Sequence, residues 1–138
     1  MDTELTDACI MIVEDDRDNR QLLELTFRTS GYTNVVEVSD GRHAVEKFAQ
    51  NRPDMVLVDH HMPHVDGLDI IRDINNLVPD DEFLPIVMLS GDVSPEVRRR
   101  ATELGASDFL LKPYEMSALI ELVESCLRRR AEKRDSSD

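Results

Sequence analysis

With 138 residues, the chain has the size of one domain able to bury a hydrophobic core. Its 41% hydrophobic content excludes a disordered composition, and a formal net charge of −13 argues against a nucleic-acid backbone as its direct partner. No apolar run approaches the ~20 residues of a membrane span, residues 1–7 lack the basic and apolar regions of a signal peptide, and Cys9 and Cys126 show neither metal-ligand nor disulfide spacing, so a reducing, cytoplasmic setting is expected.

In chain order, the nearly continuous apolar run at residues 9–13 predicts a strand buried on both faces. A helix should follow Asp16, with Leu22, Leu23, Thr26 and Phe27 on one face, and stop before Gly31. Residues 35–38 carry Glu37 mid-run and fit an edge strand. Asp40 can cap a second helix that buries Ala44, Val45 and Phe48. Residues 55–58 predict a third buried strand, and Asp66 a cap for a helix with Ile70, Ile71 and Ile74 inward. A fourth buried strand lies at residues 86–89. Ser94-Pro95-Glu96 then combines a capping hydroxyl, proline at the first helical position and an acid in the first turn. That helix buries Val97, Ala101 and Leu104 and stops at Gly105. Residues 109–111 form a short fifth strand, before a last helix with Met116, Leu119, Ile120, Val123 and Leu127 inward. Residues 8–128 are expected to form one domain, with 1–7 as an N-terminal extension and 129–138 as a basic, polar tail.

Strict alternation of this kind implies a (βα)5 α/β fold, a doubly wound parallel sheet with right-handed crossovers. Five strands favour the flavodoxin-like order 2-1-3-4-5, which puts strand 2 at an edge. Ligands of such sheets bind beyond the carboxyl ends of the strands, where the winding reverses between strands 1 and 3. Strand 1 delivers Glu14 and Asp15 to that point, strand 3 Asp59, strand 4 Ser90, and strand 5 leads to Lys112. Singly, each has an ordinary reading: acids as helix caps, a solvated lysine, a turn hydroxyl. Together they suit one chemistry. Three carboxylates in one crevice repel each other unless a cation joins them, and hard oxygen ligands suit Mg2+, with Mn2+ as a substitute. Asp59 can attack phosphorus to give an acyl phosphate. Lys112 and Ser90 can then serve the equatorial oxygens of the transferring group.

These residues lie in motifs that resemble those of two-component response-regulator receiver domains. Ile10-Met-Ile-Val-Glu14-Asp15-Asp16 is similar to the acidic-pair motif, and Asp59-His-His-Met-Pro63-His-Val-Asp66-Gly67 to the phosphoacceptor loop. Ser90 stands at the hydroxyl position, and Gly105-Ala-Ser-Asp-Phe-Leu-Leu-Lys112-Pro113 resembles the strand-5 motif. The resemblance spans residues 8–127 and implies Glu14, Asp15 and Asp59 around the metal, with His61 contributing its backbone carbonyl. It implies Asp59 as phosphoacceptor, Ser90 and Phe109 as switch residues, His61 and Asp92 as tuners of acyl-phosphate lifetime, and a cis Lys112–Pro113 peptide. The phosphoryl group would come from a sensor histidine kinase, a histidine phosphotransfer protein or a small phosphodonor. A face of helix 4, strand 5 and helix 5 would pass the signal to a downstream protein, a covalently linked output domain or a second copy. Such a domain catalyses only its own phosphorylation and dephosphorylation, and touches neither nucleic acid nor membrane directly.

Three features stand outside this set. His60, His61 and His64 read as exposed loop residues, with a transition-metal site as the less favoured alternative. Arg98, Arg99 and Arg100 are either a solvated face or part of a partner surface. Arg128, Arg129, Arg130, Lys133 and Arg134 are best explained as complements to a helix dipole, with a short membrane or nucleic-acid tail or the start of a linker as alternatives. Two rivals are weaker. A haloacid-dehalogenase-type phosphatase needs a second Asp two residues after its nucleophile, where this chain has His61, and a scaffold-only pseudo-receiver would not need the intact set.

Overall fold

The computed structural model describes residues 3–136. Five parallel strands, β1 (Cys9–Val13), β2 (Asn34–Val38), β3 (Met55–Asp59), β4 (Ile86–Ser90) and β5 (Asp108–Leu111), form one sheet in the order β2-β1-β3-β4-β5. The helices between and after them are α1 (Arg17–Thr29), α2 (Ala44–Asn51), α3 (Gly67–Asn75), α4 (Pro95–Leu104) and α5 (Met116–Ser136). This is the doubly wound, flavodoxin-like α/β fold that the alternation predicts.

Every residue of β3 and β4 is buried, which accounts for their unbroken apolar sequence. Because strand side chains alternate, each strand feeds two cores. Met11, Val13, Val56, Val58, Ile86 and Met88 meet Phe48, Ile70, Ile71, Ile74 and Ala101 from α2, α3 and α4. Ile10, Ile12, Met55, Leu57, Val87 and Leu89 meet Leu23, Phe27, Leu119, Val123 and Cys126 from α1 and α5. Edge strand β2 is half-exposed, and its Glu37 reaches Arg20 of α1 at 3.6 Å.

The expected caps carry the helix starts. Asp16 accepts from the Asn19 amide at 3.0 Å, Asp66 from the Leu68 amide at 2.9 Å, and Ser94 from the Val97 amide at 3.4 Å. Asp40 differs slightly: it caps a single 3-10 turn, Gly41–His43, that leads into α2. Val45, Val97, Leu104, Met116 and Ile120 are only half-buried, although expected inward.

Three readings of the sequence are corrected. Leu22 is 48% exposed rather than inward, because Leu23 and Phe27, four apart, already form the buried stripe of α1. At the amino end, one helical turn, Thr3–Thr6, precedes the sheet and buries Leu5 in the α1–α5 core. At the carboxyl end, α5 continues to Ser136 and its cations have specific partners beyond any dipole effect. Arg129 pairs with Asp108 at 2.5 Å, while Arg130 pairs with Asp54 at 3.2 Å and donates to the Phe83 carbonyl at 2.5 Å. The Arg129 guanidinium and Lys133 ammonium also lie over the Phe83 ring, 5.8 and 4.9 Å from its centroid. These contacts fasten the last turns of α5 to the amino ends of β3, β4 and β5, the rim of the sheet opposite the acidic crevice. No helix among the described residues is long and apolar enough to cross a membrane.

Candidate functional site

The carboxyl ends of β1 and β3 bring the predicted acids together. Glu14 leaves β1 while its amide still bonds the Val38 carbonyl at 3.1 Å, so its side chain emerges at the sheet's rim. Glu14 and Asp59 are buried and Asp15 is exposed. One carboxylate oxygen from each of the three lies within 4.8 Å of the others. The Asp16 carboxylate stands outside this group and caps α1 instead.

Lys112 follows the end of β5, just before the cis Lys112–Pro113 peptide, and sets Nζ 2.5 Å from Asp59 Oδ1 and 3.8 Å from Glu14 Oε1. One ammonium does not neutralise three carboxylates. Burial, and then the Asp59 charge, push Glu14 up to about 7, against the opposing pull of Lys112. Tyr114, beside the crevice, is pushed up to about 12 by burial and by the charges of Glu14 and Asp59. A hard divalent ion fits this donor set: carboxylate oxygens, excess negative charge, and one exposed member leaving room for water.

A glycine sets the height of the loop that follows Asp59. A Cβ on Gly67 would lie 2.4 Å from the Asp59 carbonyl oxygen and 2.9 Å from His60 Cα. The Gly67 amide instead donates to the His60 carbonyl at 2.9 Å, seating the first turn of α3 directly on the end of β3.

Ser90 ends β4 and is 1% exposed. Its Oγ donates to the Asp92 carbonyl at 2.9 Å, accepts from the Asp92 amide at 2.9 Å, and lies 2.8 Å from His60 Nδ1. The Asp92 carboxylate accepts from the Ser94 amide at 3.0 Å, and that bond holds its pKa below the usual range. Phe109 is half-buried against the α2–α4 core, with the Arg98 guanidinium 5.3 Å from its ring centroid. Arg98, Arg99 and Arg100 are exposed.

The histidines are where the sequence reading fails. His60 is 5% exposed, not a solvated loop residue, and its ring stacks on that of His61 at 4.0 Å and 24°. Burial, the leading cause, and the neighbouring His61 charge keep its pKa below the ordinary histidine value. A signal was available: His60 continues the β3 ladder through its amide to the Leu89 carbonyl at 2.9 Å. Alternation from Val58 therefore turns its ring inward. His61 and His64 are exposed, and no histidine joins the acidic cluster among the described residues.

Fold and site together define a class of protein: flavodoxin-like modules whose switch-point crevice pairs clustered carboxylates with one lysine. The chain belongs to the response regulator receiver domain family, whose model matches residues 10–124. It is 34% identical over 137 residues to the transcriptional regulatory protein PrrA of Mycobacterium bovis, covering 99% of this chain and 57% of that protein. The chain thus spans little more than half the length of this curated relative. Among solved structures it resembles the chemotaxis protein CheY4 of Vibrio cholerae, with a TM-score of 0.80 and 28% identity, covering 87% of this chain and 98% of that one. It also resembles NtrX from Brucella abortus, with a TM-score of 0.84 and 30% identity, covering 96% of this chain but 29% of that one.

Proposed function

We propose that this chain is a phosphorylation switch in which Asp59 accepts a phosphoryl group from a phosphohistidine on a sensor kinase or phosphotransfer protein. The observation that carries this reading is Lys112 Nζ at 2.5 Å from the buried Asp59 carboxylate, with Glu14 and Asp15 beside it. An Asp59 oxygen forms the new P–O bond as the P–N bond of the donor breaks in line on the opposite side. Lys112 neutralises charge on the equatorial oxygens, and Ser90 offers them a hydroxyl proton. Glu14, Asp15, Asp59 and the His61 carbonyl would hold Mg2+, or Mn2+ in its place. The bound ion supplies charge neutralisation for the carboxylates and the transferred group.

His61 and Asp92 flank the route of a hydrolytic water and set the lifetime of the acyl phosphate. Activity ends there: the domain promotes its own phosphorylation and dephosphorylation and turns over no external metabolite. Residues 8–128 carry this receiver unit, and the Thr3–Thr6 turn and the last turns of α5 pack onto it. The readout face comprises α4, β5 and α5, with Ser90 and Phe109 as switch residues. Relatives about twice as long as this chain favour a covalently linked output domain as the recipient; a separate downstream protein or a second copy would use the same face. A cytoplasmic location suits such a kinase partner.

Incubation with acetyl phosphate and Mg2+ should give an acid-stable, base-labile adduct that peptide mass spectrometry places on Asp59. The Asp59→Asn variant should remain unmodified. Equal modification of that variant at an equal rate would refute the assignment.

A further inference from the structure

Ser90 and His60 are among the few buried polar side chains of the described residues, and they are bonded to each other. A hydroxyl has one proton to donate and two lone pairs. Whichever ring nitrogen carries the proton, the Ser90 hydroxyl is divided between the Asp92 backbone and the His60 ring. The ring itself is held. It stacks on His61, its Nε2 lies 3.9 Å from Asp66 Oδ1, and its backbone bonds β4 on one side and Gly67 of α3 on the other.

We propose that His60 is a positioning residue that latches Ser90 in the unphosphorylated conformation, so that phosphate at Asp59 recruits the hydroxyl only by breaking this bond. The inference rests on the role given to Ser90 above. Breaking the bond leaves a buried imidazole nitrogen without its partner, a cost set against the gain at the phosphoryl oxygens. A phosphoryl group shifts the balance only by its differential interaction with the two conformers. His60 therefore sets the threshold of the switch. The latch also ties the hydroxyl to the loop that carries Asp59 and to the cap of α3.

The test is the affinity for beryllofluoride, a phosphoryl mimic, in saturating Mg2+. The chain has no tryptophan, so binding is followed by calorimetry or 19F NMR. His60→Leu and His60→Phe remove the bond, and Phe keeps a ring to stack on His61 should Leu fail to fold. Both should bind about fivefold tighter, the worth of roughly one net hydrogen bond. His60→Asn, which keeps a polar atom at the Nδ1 position, should stay near the parent affinity. Ser90→Ala should bind more weakly, and in its background His60→Phe should change nothing. Unchanged or weaker binding by His60→Phe, with Ser90→Ala still impaired, overturns the latch and leaves the Ser90 role standing. Unimpaired binding by Ser90→Ala removes that role, and the latch with it.

Discussion

Adjacent acids at the end of β1 have separate duties although the sequence repeats the same side chain. Asp15 offers its carboxylate to the crevice, whereas Asp16 is occupied with the Asn19 amide. The proposed Mg2+ site exists only in the folded state, so the ion should raise stability with the logarithm of its concentration above Kd. Asp15→Ala should lose most of that increment. Asp16→Ala should keep it and lose ~1 kcal/mol through the missing cap. Equal loss of metal binding in both would place the wrong acid in the crevice. Glu14 supplies a pH dependence of defined sign. Its folded-state pKa of about 7 exceeds the 4.5 of an unperturbed glutamate, so between those values the folded protein holds more protons than the unfolded chain. Stability contributed by protonated Glu14 is therefore lost as pH rises from about 5 to about 7.5. In chelator, urea midpoints should fall more steeply over this range for the parent than for Glu14→Gln; parallel curves would contradict the assignment. The convergence of Glu14, Asp15, Asp59 and Lys112 was legible because strand ends point to one place. The burial of His60 was obscured by two further histidines and a turn, although its strand position encoded it.

Among the elements, β1, β3 and β4 were readable because strands covered on both faces require uninterrupted apolar sequence. Leu22 and the far end of α5 were not, since each depends on tertiary neighbours. The stripe of α1 is completed by Leu23 and Phe27, and the cations of α5 find Asp54, Asp108 and Phe83 far away in sequence. The contact of α3 with β3 leaves no room for a side chain. Its limiting residue is Gly67, where an added methyl meets backbone atoms, which cannot rotate away. Gly67→Ala should cost roughly 2–4 kcal/mol and displace the loop bearing Asp59, weakening Mg2+ binding as well. Gly91 is the internal control: nothing lies within 4 Å of its Cβ position. Gly91→Ala should be neutral or slightly stabilising. Denaturant unfolding of both variants with and without Mg2+ checks the contrast, and equal, mild effects would show that α3 can slide on β3.

At the scale of the whole molecule, the crevice and the proposed readout face are joined by two neighbouring strands. Ser90 closes β4, and Phe109 in neighbouring β5 packs into the α2–α4 core beneath Arg98. Phosphate adds charge and strong acceptor oxygens, which favour a conformer that brings the Ser90 hydroxyl toward Asp59. Space released by Ser90 would let Phe109 turn further inward. With no hydroxyl on this ring, its gain is burial alone, and the Arg98 contact must be remade. The most direct measurement is a residue-by-residue comparison of backbone and side-chain NMR shifts with Mg2+, before and after beryllofluoride, in the parent and in Asp59→Asn. The parent should show changes at Asp59, Ser90 and Lys112 and, beyond them, at Phe109 and Arg98, Arg99 and Arg100, all absent in Asp59→Asn. Changes confined to the crevice, or equal changes in Asp59→Asn, would contradict a switch driven by phosphate at Asp59 and read out on α4, β5 and α5.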